Sequence, residues 1–134
     1  MKPEKILVDP RRVFLSCSES RHSERLPFIS RTLEKNSIKV VESCEPLCNK
    51  IGRLKRALDG KCAFVVYIDG MLRIKPLPGY GNSGPLKTLQ KVLSRNAYGD
   101  GLSVAVETER EFSEREIGEA ETFGQPFVLD LSQL

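Results

Sequence analysis

Cys62-Ala63-Phe64-Val65-Val66-Tyr67-Ile68 is nearly continuous apolar sequence, rich in β-branched and aromatic residues. A strand with one solvated face alternates polar and apolar side chains, whereas a strand covered on both faces reads as an unbroken run. The segment predicts a strand buried between two helical layers. Upstream, Val13-Phe14-Leu15-Ser16-Cys17 and Ile38-Lys39-Val40-Val41 are further strand-like runs. Between them Leu26, Ile29 and Leu33 recur at helical spacing, with Pro27 in the first turn and Asn36-Ser37 ending the helix. A second helix follows, with Pro46 in its first turn and Ser43 or Cys44 near the cap. Leu47, Ile51, Leu54 and Leu58 lie on one face of it, and Gly60 is its C-terminal stop.

Downstream, Asp69-Gly70 reads as a turn and Leu72-Arg73-Ile74-Lys75 as a short extra strand. Residues 76–85 form a loop by composition, and Pro85 opens a helix with Leu86, Leu89 and Leu93 inward. Residues 102–106 are the fourth main strand. Residues 113–123 form a helix with Gly124 as its C-cap, and Phe127-Val128-Leu129 is the fifth main strand. Strands alternating with helices imply a parallel sheet with helices on both faces. The expected fold is a three-layer α/β sandwich with a mainly parallel five-stranded sheet, formed by one domain over residues 1–134.

Composition agrees: 40% hydrophobic and 29% charged residues are enough for a core and too apolar for a disordered chain. No apolar run reaches the length of a membrane-spanning helix. The apolar stretch after Met1-Lys2-Pro3-Glu4-Lys5 is too short for a signal peptide, so the expected location is cytoplasmic. The four cysteines (Cys17, Cys44, Cys48, Cys62) are then expected as reduced thiols. The Cys44-x3-Cys48 spacing and the single His22 do not make a zinc motif, and neither a metal nor a cofactor is expected.

The net charge of +3 conceals a division. Residues 101–134 carry eight acidic and two basic residues, a net −6, and residues 1–100 carry ten and nineteen, a net +9. Such sorting suggests either an anionic ligand or a solvated acidic helix. In a doubly wound sheet, ligands bind outside the carboxyl ends of the strands, and four segments would meet there: 16–23, 43–48, 69–84 and 107–116.

The first of these holds Ser16, Ser18, Ser20, Ser23, Arg21 and His22 around a helix start. Hydroxyls, free amides and a cation suit a phosphate or sugar; the plainer reading is that Ser20 or Ser23 caps the helix. The third contains Asp69 and the Gly79-Tyr80-Gly81-Asn82-Ser83-Gly84 run, which fits G-x-G-x-x-G but does not directly follow a strand. In the fourth, Ser113-Glu114-Arg115-Glu116 is a capping box, which accounts for Glu116 without any catalysis. The functional reading makes Glu116 a nucleophile at the rim of the ligand crevice, facing the 16–21 loop, with Gly118 allowing close approach.

The chain resembles the nucleoside 2-deoxyribosyltransferase-like superfamily and its TIR-like relatives. The resemblance rests on Val-Phe-Leu-Ser-Cys-Ser-Glu-Ser over 13–20 and on Glu116-Ile117-Gly118-Glu119-Ala120 followed by Gly124-Gln125-Pro126-Phe127-Val128. It implies a flavodoxin-like or TIR-like fold and N-glycosidic cleavage or transfer on a nucleotide or nucleoside. Glu116 would be the nucleophile, and Glu109 would stand in for the family's ligand-binding aspartate. Ser16, Ser18, Ser20 and Arg21 would contact the sugar or phosphate. The non-enzymatic alternative is a nucleotide-sensing or protein-interaction module. A second resemblance, to the anticodon-binding domain of class II aminoacyl-tRNA synthetases, rests on 38–41, 64–68 and the basic stretch Lys50, Arg53, Lys55, Arg56. It implies RNA as the alternative partner. Membrane binding is not expected, and self-association is left open.

Overall fold

The run Cys62–Ile68 is an inner strand, paired on one side with Asp9–Cys17 and on the other with Met71–Pro76. The computed structural model describes residues 4–6, 8–17, 25–42, 50–68, 71–95, 103–108, 111–121 and 127–129. In chain order the elements are β1 (Glu4–Ile6), β2 (Asp9–Cys17), α1 (Leu26–Lys35), β3 (Lys39–Glu42), α2 (Lys50–Asp59) and β4 (Cys62–Ile68). They continue with β5 (Met71–Pro76), α3 (Gly84–Ser94), β6 (Ser103–Thr108), α4 (Glu114–Glu121) and β7 (Phe127–Leu129). The main sheet has the order β3-β2-β4-β5-β6, and β1 pairs with β7 in a separate two-stranded parallel sheet.

The molecule is an α/β sandwich with a five-stranded, mostly parallel sheet: β2–β3, β2–β4 and β5–β6 are parallel, and only β4–β5 is antiparallel. Two details differ from the sequence-based expectation. The fifth strand of the sheet is β5, read as a short extra strand, and not β7. Moreover, the β4–β5 hairpin reverses the chain direction, so β5 and β6 run opposite to β2, β3 and β4. The segments after β2, β3 and β4 therefore leave at one end of the sheet, and those after β5 and β6 at the other.

The layers follow from the apolar spacing. Leu26, Ile29 and Leu33 of α1 and Leu86, Leu89 and Leu93 of α3 are buried, each set at one-face helical spacing. α1 and α3 pack side by side, and α2 packs against α4. The register places Leu15, Val66, Ile74 and Thr108 in one row. Gln90 of α3 bonds Thr108, so this face of the sheet carries α3 and, beside it, α1. The opposite face, with Phe14, Val65 and Lys75, carries α2 and α4. Leu15, Phe64 and Val66 on one face and Phe14 and Val65 on the other are almost fully enclosed, as expected for strands covered on both sides.

Helix ends show the local chemistry. Ser83 caps α3 by accepting the Leu86 N–H at 3.3 Å, with Pro85 in the first turn as expected. α1 ends in a Schellman motif: Ile38 N–H bonds Leu33 O at 3.0 Å, Ser37 N–H bonds Glu34 O at 3.1 Å, and Ser37 adopts φ 63°. After α2 the left-handed residue is Lys61 (φ 59°) and not the expected Gly60. Gly60 serves a close approach instead, since a Cβ there would lie 3.3 Å from Cys62 Sγ and 3.4 Å from Arg56 O. The Pro46, Ser43 and Cys44 start of the second helix, the Asp69-Gly70 turn and Gly124 lie outside the described residues. Among the described residues no helix is long and apolar enough to cross a membrane.

Candidate functional site

β2 lies between β3 and β4, so the chain leaves β2 toward one side of the sheet and leaves β4 toward the other. Open α/β sheets bind ligands outside the carboxyl ends of strands at such a divergence. Ser16 and Tyr67 face each other across β2 and β4 at that end. The row continues through Arg73 of β5 to Glu107 of β6. Residues in register share a face, and here it is the α2 face.

The row is polar and lies next to the row of Phe14, Val65 and Lys75. Ser16 is fully buried, and its Oγ has no hydrogen-bond partner. The guanidinium of Arg53, from α2, lies 4.6 Å from the centre of the half-buried Tyr67 ring. Its Nε is also buried without a hydrogen bond. Arg73 pairs with the half-exposed Glu107 at 3.4 Å. A buried hydroxyl without a partner costs stability, and native structures hold few of them. The cluster offers a hydroxyl, a guanidinium and an aromatic face, a donor set suited to a phosphate or sugar beside a planar base.

The other expected site residues distribute as follows. Ser18, Ser20, Arg21, Asp69 and Glu109 lie outside the described residues, as do His22 and Ser23. Glu116 is separated from Ser16. Its carboxylate Oε2 lies 3.9 Å from Lys75 Nζ, and Lys75 stands in the row of Val65 and Phe14, two residues from the row of Ser16 and two strands away. The approach to α4 starts at the far end of the sheet, where Phe112 N–H bonds Pro76 O at 2.9 Å.

The expectation that Glu116 faces Ser16 across one crevice assumed that β6 runs parallel to β2, and the β4–β5 hairpin removes that assumption. Glu116 instead completes the capping box. Ser113 N–H donates to Glu116 Oε1 at 3.0 Å, and Glu116 N–H donates to Ser113 Oγ at 3.2 Å. Gly118 is not at a close approach, since a Cβ there would meet nothing within 4 Å.

Gly81 also belongs to the far end. The amides of Gly79 and Gly81 both donate to Glu111 Oε2, at 3.1 and 3.2 Å. The chain's own carboxylate occupies this pair of donors. The loop is anchored by Tyr80, fully buried with its ring edge-on to Phe64 at 5.9 Å. A cavity of about 830 Å³ opens at that end, with Asp9, Ser37, Phe64 and Pro85 in its lining. None of the expected site residues borders it, and Asp9 already accepts the Arg11 N–H at 2.8 Å. We therefore assign the candidate site to the carboxyl ends of β2 and β4.

Burial pushes the Cys62 thiol up from 9.0 to about 11, against the opposing pull of Arg12, which makes it an inert core group. Among the described residues no group of three His, Cys, Asp or Glu side chains is arranged to hold a metal. Sequence reasoning missed Tyr67, Arg73 and Glu107, and treated Arg53 only as part of a basic surface. The available signal was a serine and a tyrosine near the ends of strands otherwise built from aliphatic residues. The class defined by this fold is an α/β sandwich with a five-stranded, mostly parallel sheet. No family model, curated protein or solved structure matches the chain.

Proposed function

We propose that this protein binds a nucleotide or phosphorylated nucleoside at the carboxyl ends of β2 and β4. One observation carries the reading: the buried Ser16 hydroxyl has no partner and lies in register with Tyr67, whose ring is covered by the guanidinium of Arg53. Ser16 and Arg53 supply donors to phosphate or ribose oxygens, and Tyr67 offers a stacking face to the base. The partly buried Arg53 side chain swings off Tyr67 to admit the ligand.

The reading is of a binding module without turnover. The glutamate that the transferase resemblance would use, Glu116, is occupied by its helix cap and by Lys75. The nearer carboxylate, Glu107, is paired with Arg73.

A panel of nucleoside monophosphates and dinucleotides, screened by thermal shift and then assayed for free base, tests this. At least one nucleotide is expected to raise Tm, with no base released. Ser16→Ala is expected to raise the ligand-free stability by about 1 kcal/mol, since it removes an unsatisfied buried hydroxyl, and to abolish the ligand-induced shift. If no nucleotide moves Tm, the reading fails. Base release that disappears in Glu116→Gln restores the transferase alternative.

A further inference from the structure

We infer that the outer surface of the α1–α3 layer is a binding surface for single-stranded nucleic acid. The starting point is how charge divides between the layers. α2 carries four basic residues and one acidic, α4 carries four acidic and one basic, and the two helices pack together. Their charges cancel within their own layer. α1 and α3, extended to Arg95, carry five basic residues against the single acid Glu34.

The unbalanced charge is ordered. Lys87, Lys91 and Arg95 recur every fourth residue, which sets them about 6 Å apart along the helix axis. All three are exposed, and α3 contains no acidic residue. Among the described residues none of the three side chains has an ion-pair partner. With Gln90 and Ser94 they line a shallow groove of about 360 Å³.

A protein partner needs several apolar or aromatic anchors at the centre of its interface, and the residues lining this groove are all polar or charged. A phosphate chain needs only spaced cations and donors. Phe28 of α1 is the one large apolar side chain strongly exposed among the described residues, at 58%. The guanidinium of Arg31 lies 4.9 Å from its ring centre. An exposed aromatic ring with an adjacent guanidinium is a stacking platform for an unpaired base. Cations for phosphates on α3 and a ring for bases on the neighbouring α1 together suit a single strand, since stacked duplex bases cannot reach Phe28.

The test is fluorescence anisotropy with a labelled oligouridine of about twelve nucleotides, titrated across salt concentrations. Three phosphate contacts predict a slope of log K against log salt of about −2. Lys87→Gln/Lys91→Gln/Arg95→Gln is expected to abolish binding, with circular dichroism confirming the fold. Phe28→Ala is expected to weaken binding about tenfold and to leave the slope unchanged. No saturable binding at low salt overturns the inference. So does a triple variant with unchanged affinity and slope, equally tight binding of a polyglutamate peptide, or loss of binding on Arg56→Gln instead.

Discussion

Glu116 shows how one side chain satisfies two structural demands. Its Oε1 accepts the Ser113 N–H, and its Oε2 is the anionic partner of Lys75, which is almost fully buried against the Phe112 ring at 5.0 Å. Removing one member of a buried pair leaves the other charge uncompensated. Glu116→Gln keeps the shape and an acceptor for the cap but removes the charge facing Lys75. It is expected to cost about 2 kcal/mol, seen as a lower urea midpoint, and to leave any nucleotide-induced thermal shift unchanged. Retained binding in Glu116→Gln, set against its loss in Ser16→Ala, separates the roles of the Glu116 carboxylate and the Ser16 hydroxyl. The capping box was legible in the Ser-x-x-Glu spacing alone. The role of Lys75 was not, because that pair joins residues far apart in the chain.

At the scale of elements, the helices were the most legible parts, because each buries a stripe whose spacing is set by the helix itself. Their ends were less so. The Schellman turn after α1 places Ser37 at φ 63°, where a residue with a Cβ is strained by about 1 kcal/mol. Ser37→Gly is expected to stabilise the protein by about 0.5–1 kcal/mol, a rise of about 4 °C in Tm by calorimetry. An unchanged or lowered Tm would mean that the gain in unfolded-chain entropy outweighs the relieved strain. The strand directions were the least legible. Leu72-Arg73-Ile74-Lys75 signals a strand, but its pattern does not say which neighbour it pairs with. That pairing moved Glu116, Gly81 and Glu111 away from Ser16.

For the whole molecule, the pH dependence of unfolding reflects the enclosed core. Cys62 ionises near 9.0 when exposed and only near about 11 in the folded protein, chiefly through burial. Between those values the unfolded chain holds fewer protons than the folded one, so stability falls as pH rises through the window and is unaffected by this group below it. Urea midpoints of the protein and of Cys62→Ala, compared at about pH 8 and about pH 10.5, test this: the decline is expected to be smaller in the variant. The same global view changes the meaning of the charge division along the chain. Of the acidic C-terminal quarter, Glu116 does not face Ser16. The quarter contributes α4, which packs on the basic α2 and leaves the opposite layer positive.

By itself the sequence determined the fold class, the helical faces, the capping box and the doubly covered strand, because all of these follow from spacing within a few residues. Only the tertiary structure decided which chemistry shares a site. A single antiparallel hairpin, a pairing choice made between strands, sets the end of the sheet at which every later loop emerges. It left Ser16 beside Tyr67, which Arg53 covers, and Glu116 beside Lys75.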